Sequence, residues 1–116
     1  MTVEQDTQGK AMTEAIEITS FRLNGCSCKE FIKANAEVDA WLIRQPGFRS
    51  RRIAERDDHS VVDILIWDTR AHGLAAAHRL MEELGSSPIH AMIDQASVAW
   101  SILPVRHFQG FDPATG

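Results

Sequence analysis

Val61-Val62-Asp63-Ile64-Leu65-Ile66-Trp67 is apolar at every place but one. Successive side chains of a β-strand leave on opposite sides, so a run this continuous reads as a strand with two buried faces. The chain has 116 residues, enough for one domain with a core and too few for two. A chain of that size supplies helices for one face of a sheet. The other face needs a cover from outside, and a second copy of the same chain is the simplest one.

Upstream, Ile16 and Ile18 alternate with Glu17 and Thr19, and Phe21 and Leu23 then switch the apolar face, so residues 14–23 read as the first strand. Asn24-Gly25 breaks it. Ser27-Cys28-Lys29-Glu30 is a capping-box pattern. It predicts one amphipathic helix running to Gln45-Pro46-Gly47, with Phe31, Asn35, Val38 and Leu42 on its apolar stripe. Residues 48–56 read as the second strand, Asp57-Asp58 as a tight turn and residues 59–68 as the third strand. Downstream, Thr69 caps a helix that ends near Leu84. Gly85-Ser86-Ser87-Pro88 stops that helix and starts a short one over residues 89–95. Residues 98–105 read as the last strand.

The order β-α-β-β-α-(α)-β predicts an α+β, ferredoxin-like domain over residues 14–106: a four-stranded antiparallel sheet with helices on one face. Residues 1–13 are polar and read as a loose arm, and residues 107–116 as an irregular tail.

Composition narrows the function classes. Hydrophobic content of 44% and charged content of 24% are ordinary for a globular domain. The formal net charge is -4, and binding to nucleic acid rests largely on phosphate neutralisation, so nucleic acid is not an expected partner. Arg49, Arg51, Arg52 and Arg56 form one basic cluster, but it lies in a strand and Asp57 and Asp58 follow it, so it reads as structural or pocket-lining and not as a nucleic-acid surface. No apolar stretch has the length of a membrane span, no leader pattern opens the chain, and the expected location is the cytoplasm. Cys26 and Cys28 are too close in sequence for easy disulfide geometry and are expected as reduced thiols. No phosphate loop, dinucleotide fingerprint or nucleophile elbow is present.

Three stretches carry a family likeness: the opening strand Ile16-Glu17-Ile18-Thr19-Ser20-Phe21-Arg22-Leu23, the helix end Gln45-Pro46-Gly47-Phe48-Arg49-Ser50-Arg51, and Ile64-Leu65-Ile66-Trp67 running into a helix with Thr69 and His72. On these, residues 14–105 resemble the antibiotic-biosynthesis-monooxygenase-like group of dimeric α/β barrels. The resemblance implies a homodimer whose two sheets close into a barrel, with a pocket in each subunit between sheet and helices. Its members include cofactor-free oxygenases of aromatic polyketides, haem-degrading enzymes and small proteins of no known activity. The haem-degrading branch works with a tryptophan in the helix. Here Ala76 falls near that position and Trp67 ends a strand, so that branch does not match. The oxygenase branch often uses polar aromatics, and this chain has no tyrosine.

Candidate site residues follow from the pattern. With a two-residue turn at Asp57-Asp58, Arg52 faces Asp63, while Ser50 faces Leu65 and Phe48 faces Trp67. A three-residue turn would put Ile53 opposite Asp63 instead. The Arg52–Asp63 pair is either a structural ion pair or a polar spot for an anionic or phenolic ligand. Asn35 interrupts an apolar stripe, so its amide bonds to backbone or points into a cavity. Trp41, Trp67 and Trp100 are core residues or cavity walls. His78 is the candidate general base, with Arg52 stabilising the anion it would produce. His78 with Glu82, and His90 with Asp94, sit at i, i+4 spacing, but two ligands do not make a metal site and none is expected. The expected protein is therefore a homodimeric small-molecule-binding α/β barrel. It is either a cofactor-independent monooxygenase-like enzyme for a small aromatic or phenolic compound, or a non-enzymatic binding, accessory or purely structural dimer domain. No cofactor is expected.

Overall fold

The computed structural model describes residues 13–111; the predicted arm, apart from Thr13, and the end of the predicted tail lie outside them. Four strands, β1 (Ala15–Leu23), β2 (Phe48–Glu55), β3 (Val61–Trp67) and β4 (Ile93–Pro104), form one antiparallel sheet in the order β2-β3-β1-β4. Helices α1 (Cys28–Ala34), α2 (Ala36–Ile43) and α3 (Arg70–Leu84) and a 3₁₀ turn (Pro88–Met92) complete the ferredoxin-like α+β architecture.

The capping box forms as its residues require. Ser27 Oγ accepts from the Glu30 amide at 3.0 Å, and the Glu30 carboxylate accepts from the Ser27 amide at 2.7 Å. These bonds hold the Glu30 carboxyl below its ordinary value. The single helix predicted up to Gln45 is in fact two, and Asn35 is the break, closing α1 and opening α2. Its Nδ2 donates to the Phe31 carbonyl at 2.8 Å. A side chain bonding to its own preceding turn competes with the helical ladder, which is why asparagine favours helix ends over helix interiors.

The hairpin between β2 and β3 follows the second of the two registers. Ile53 pairs with Asp63, and Arg52 pairs with Ile64. The turn is Asp57-Asp58-His59, closed by the Arg56 amide on the Ser60 carbonyl at 2.8 Å. His59 takes a left-handed φ of 69°, the backbone geometry that a three-residue hairpin loop needs at its last position. Asp58 ties the turn down by accepting from the Ser60 amide and hydroxyl at 2.9 and 2.6 Å, and those bonds lower its carboxyl pKa.

The last strand begins earlier than expected. Ile93 pairs with Leu23, and β4 runs twelve residues, with an irregularity near Ser20 to Arg22. Ser97 Oγ fills that irregularity by accepting from the Arg22 amide at 2.8 Å. Residues predicted as a short helix to 95 therefore divide between a 3₁₀ turn and a strand.

All helices lie on one face. Trp41, Leu42, Trp67, Ala76 and Ile102 form one buried cluster there, and Phe21, Phe31 and Val61 a second. Gly73 lets α3 approach closely: a Cβ there would collide with Ile102 Cδ1 and come 2.9 Å from Trp67 Cδ1. The opposite face carries Ile16, Ile18, Val62, Ile64 and Ile66, with Leu103 49% exposed at its edge, and among the described residues no helix covers it.

Candidate functional site

Between the two buried clusters the sheet turns four polar side chains toward the helices: Glu17, Thr19, Arg51 and Asp63. Pairing places Glu17 of β1 beside Leu65 of β3 and Ile102 of β4. Glu17 is buried, and each of its oxygens accepts one indole N–H: Trp67 Nε1 on Oε1 at 2.8 Å and Trp100 Nε1 on Oε2 at 2.7 Å. Burial pushes this carboxyl above its ordinary value, with nearby Asp63 adding to the effect and the two indoles opposing it.

Arg51 and Asp63 form the second half of the site. They share a face of the sheet one diagonal step apart, since Arg51 pairs with Leu65 and Ile53 with Asp63. The guanidinium grips the carboxylate through two bonds, Nε to Oδ1 at 3.1 Å and Nη2 to Oδ2 at 2.7 Å. Nη2 also donates to Asn35 Oδ1 at 2.8 Å, and Nη1 to Asp39 Oδ1 at 2.8 Å. Burial works against the charge on Arg51, but the bonds and fields of Asp63 and Asp39 outweigh it, so its pKa rises. The break at Asn35 thus serves the site: it aims an amide oxygen at the arginine.

These groups line a cavity of about 140 Å³ between sheet and helices. Glu17, Asn35, Arg51, Asp63 and His90 supply polar lining, and Phe31, Val38, Leu65, Leu80 and Ile89 supply apolar walls. His90 is anchored by Nε2, which donates to the Leu84 carbonyl at 2.9 Å. A carbonyl only accepts, so Nε2 carries a proton in that bond.

Two of the five predicted site residues, Asn35 and Asp63, line the cavity directly. Trp67 lies in the core, 1% exposed, and reaches the site through its bond to Glu17. Arg52 does not take part. The observed register turns it to the uncovered face, where Nη1 donates to Ser50 Oγ at 3.0 Å, and Arg51 holds Asp63 in its place. His78 lies on the outer side of α3 with its side chain 78% exposed, 3.4 Å from Glu82, away from the cavity. His90 belongs to the 3₁₀ turn and Asp94 to β4, so they do not share a helix face. Both thiols, Cys28 buried and Cys26 partly so, are pushed up in pKa by burial. Among the described residues no three His, Cys, Asp or Glu side chains gather as a metal site, and no helix is long and apolar enough to cross a membrane.

Glu17 was not singled out from the sequence; Arg51 entered only as one of a basic cluster and His90 only as the neighbour of Asp94 at i, i+4 spacing. A signal for Glu17 was present: it shares its strand phase with Ala15 and Phe21, both buried, and a carboxylate in that phase has to meet donors.

No protein-family model matches the chain, and no curated protein matches it. Solved structures do. The cofactor-independent oxygenase SnoaB from Streptomyces nogalater superposes with a TM-score of 0.67 at 20% identity, over 83% of this chain and 96% of that one. The monooxygenase ActVA-Orf6 of Streptomyces coelicolor, in complex with the ligand nanaomycin D, gives 0.59 at 19% identity, over 87% and 95%. The chain thus has the fold of antibiotic-biosynthesis-monooxygenase-like proteins, as its sequence pattern implied.

Proposed function

We propose that the chain works as a homodimer, with the bare sheet faces of two copies pressed together. Each subunit's cavity takes a small aromatic or phenolic compound and oxidises it with molecular oxygen, without a cofactor. One observation carries this reading: a buried carboxylate of raised proton affinity, Glu17, lines an otherwise largely apolar cavity. The likeness to two oxygenases agrees with it.

A desolvated carboxylate is a stronger base than one in water. Glu17 would take the O–H proton of an electron-rich phenol and then return it as a hydrogen bond to the phenolate oxygen, so the charge of the cavity does not change. The phenolate ring gives electrons to oxygen, and a C–O bond forms at the carbon para to the phenolate. Loss of the ring proton and cleavage of the O–O bond release water and leave a para-quinone. One phenol and one O₂ thus become one quinone and one water. The Arg51–Asp63–Asn35 lattice keeps the wall rigid while this happens.

The test is oxygen uptake by the purified protein with electron-rich phenols and no added cofactor. Turnover that falls by roughly 10²–10⁴-fold in Glu17→Gln supports the assignment. Turnover unchanged in that variant removes Glu17 from the chemistry. Ligand binding without any oxygen uptake by the wild-type protein makes the chain a binding or accessory domain.

A further inference from the structure

The polar atoms around the cavity are unevenly spent. Arg51 has five N–H bonds to give. Nε is used on Asp63, and Nη2 is used on Asp63 and Asn35. The bond left over sits on Nη1, the nitrogen turned to Asp39, whose side chain is 55% exposed. The arginine therefore has little to offer a guest.

The carboxylates are in the opposite condition. Each oxygen of Glu17 and of Asp63 accepts one bond and keeps a further lone pair. On the donor side stand one Nδ2–H of Asn35, whose other bond goes to Phe31, and the Thr19 hydroxyl. In formal charge, one arginine faces two lining carboxylates.

We infer that the cavity selects a single-ring aromatic that donates hydrogen bonds, a phenol, catechol or benzylic amine, and turns away carboxylates and fused polycycles. This rests on the reading of the cavity as the ligand site and narrows it. Chemistry sets the first half: lone pairs from Glu17 and Asp63 want N–H or O–H, and a carboxylate guest would meet like charge without a spare arginine to meet it. Volume sets the second half. About 140 Å³ is close to the ~150 Å³ that accommodates benzene in an apolar cavity. Three fused rings would need Phe31, Leu65 or Leu80 to move, and these belong to or line the packed layer between sheet and helices.

The experiment is calorimetric titration of the full chain, with thermal shift in parallel, using four probes: catechol, benzylamine, benzoate and 1,8-dihydroxyanthraquinone. Catechol and benzylamine should bind and raise the melting temperature. Benzoate should bind weaker by about tenfold or more, and the anthraquinone should not bind. In Asp63→Asn, where the amide replaces an acceptor by a donor and releases Arg51, the catechol-to-benzoate ratio should fall by about tenfold. Benzoate equal to catechol in the wild-type protein overturns the donor preference, and anthraquinone tighter than catechol overturns the size limit; both leave the cavity as the ligand site. Failure of all four probes to bind overturns the site reading itself. The wild-type series decides between these outcomes even if the variant does not fold.

Discussion

The two faces of the sheet contrast in an unusual sense. The face under the helices holds Glu17, Asp63 and Arg51 among its buried and partly buried residues. The face with no cover holds Ile16, Ile18, Val62, Ile64 and Ile66. A lone soluble domain usually keeps charge on the wet side and aliphatics on the dry side. The inversion separates two requirements. Charges are retained inside because each has hydrogen-bond partners there: no buried side-chain nitrogen or oxygen among the described residues is left without one. Aliphatics are retained outside because, in the homodimer we propose, that side is another interior.

The sharpest way to break this contrast is to put a charge on the bare face. Ile64 lies on the strand between β2 and β1, at mid-sheet. Ile64→Asp should weaken self-association by about 3–5 kcal/mol, roughly two to four decades in Kd, because an unpaired carboxylate would be sealed between two sheets. Sedimentation equilibrium should move from about twice 12.9 kDa to 12.9 kDa at micromolar concentration. A wild-type protein that already sediments at 12.9 kDa would sink the assembly and the meaning given to this face.

The covered face should break differently. Arg51→Met leaves Asp63, whose side chain is 15% exposed, without its partner, and should cost about 3–5 kcal/mol of folding stability. Removing both charges in Arg51→Met/Asp63→Leu should restore most of it, since a packed apolar pair avoids desolvation on both sides. Urea denaturation of the two single variants and the double variant measures the coupling. Arg51→Met and the double variant of equal stability would mean that Asp63 left alone carries no penalty and that the pair is not what holds this face together.

Glu17 sharpens the comparison through pH. Its folded pKa lies above the ordinary 4.5, mainly from burial. The fold therefore favours its protonated form. That contribution is complete below the unfolded value and disappears as pH rises through the folded one. Melting temperatures of wild type and Glu17→Gln, recorded from pH 4 upward, should show the wild type losing ground to the variant across that window and running parallel above it. A pH-independent difference would mean that the indole bonds of Trp67 and Trp100 cancel the cost of burial.

How much of this was legible beforehand depends on the range of the interaction involved. Local signals gave the element order: the Ser27 to Glu30 box, the Gln45-Pro46-Gly47 stop and the Thr69 cap each act within a turn of chain. The choice of Arg51 over Arg52 depended on a single residue in the turn, His59 in a left-handed conformation, and a register step of one turns every β2 side chain over. The pairing of Glu17 with Trp100 spans 83 positions, and nothing local announces it. The early start of β4 was hidden because Asp94, Gln95, Ala96 and Ser97 are poor strand formers, held there by pairing with β1 and by the Ser97 bond to Arg22.

The smallest effect belongs to the residue the sequence favoured most. Placed four residues from Glu82 on an amphipathic helix with alanines around it, His78 had the look of a base with room before it. Helical geometry decides otherwise: Gly73 and Ala76 define the buried edge of α3, and His78 lies two residues round from Ala76, well off that edge. With its side chain 78% exposed beside a Glu82 that is 63% exposed, His78→Ala should change stability by less than about 0.5 kcal/mol. It should leave catechol affinity and oxygen uptake as they are, whereas Glu17→Gln should cut uptake by roughly 10²–10⁴-fold. A large loss of turnover in His78→Ala would require α3 to present its outer side to substrate. That would move the reacting centre from the cavity under the sheet to the surface of the helix.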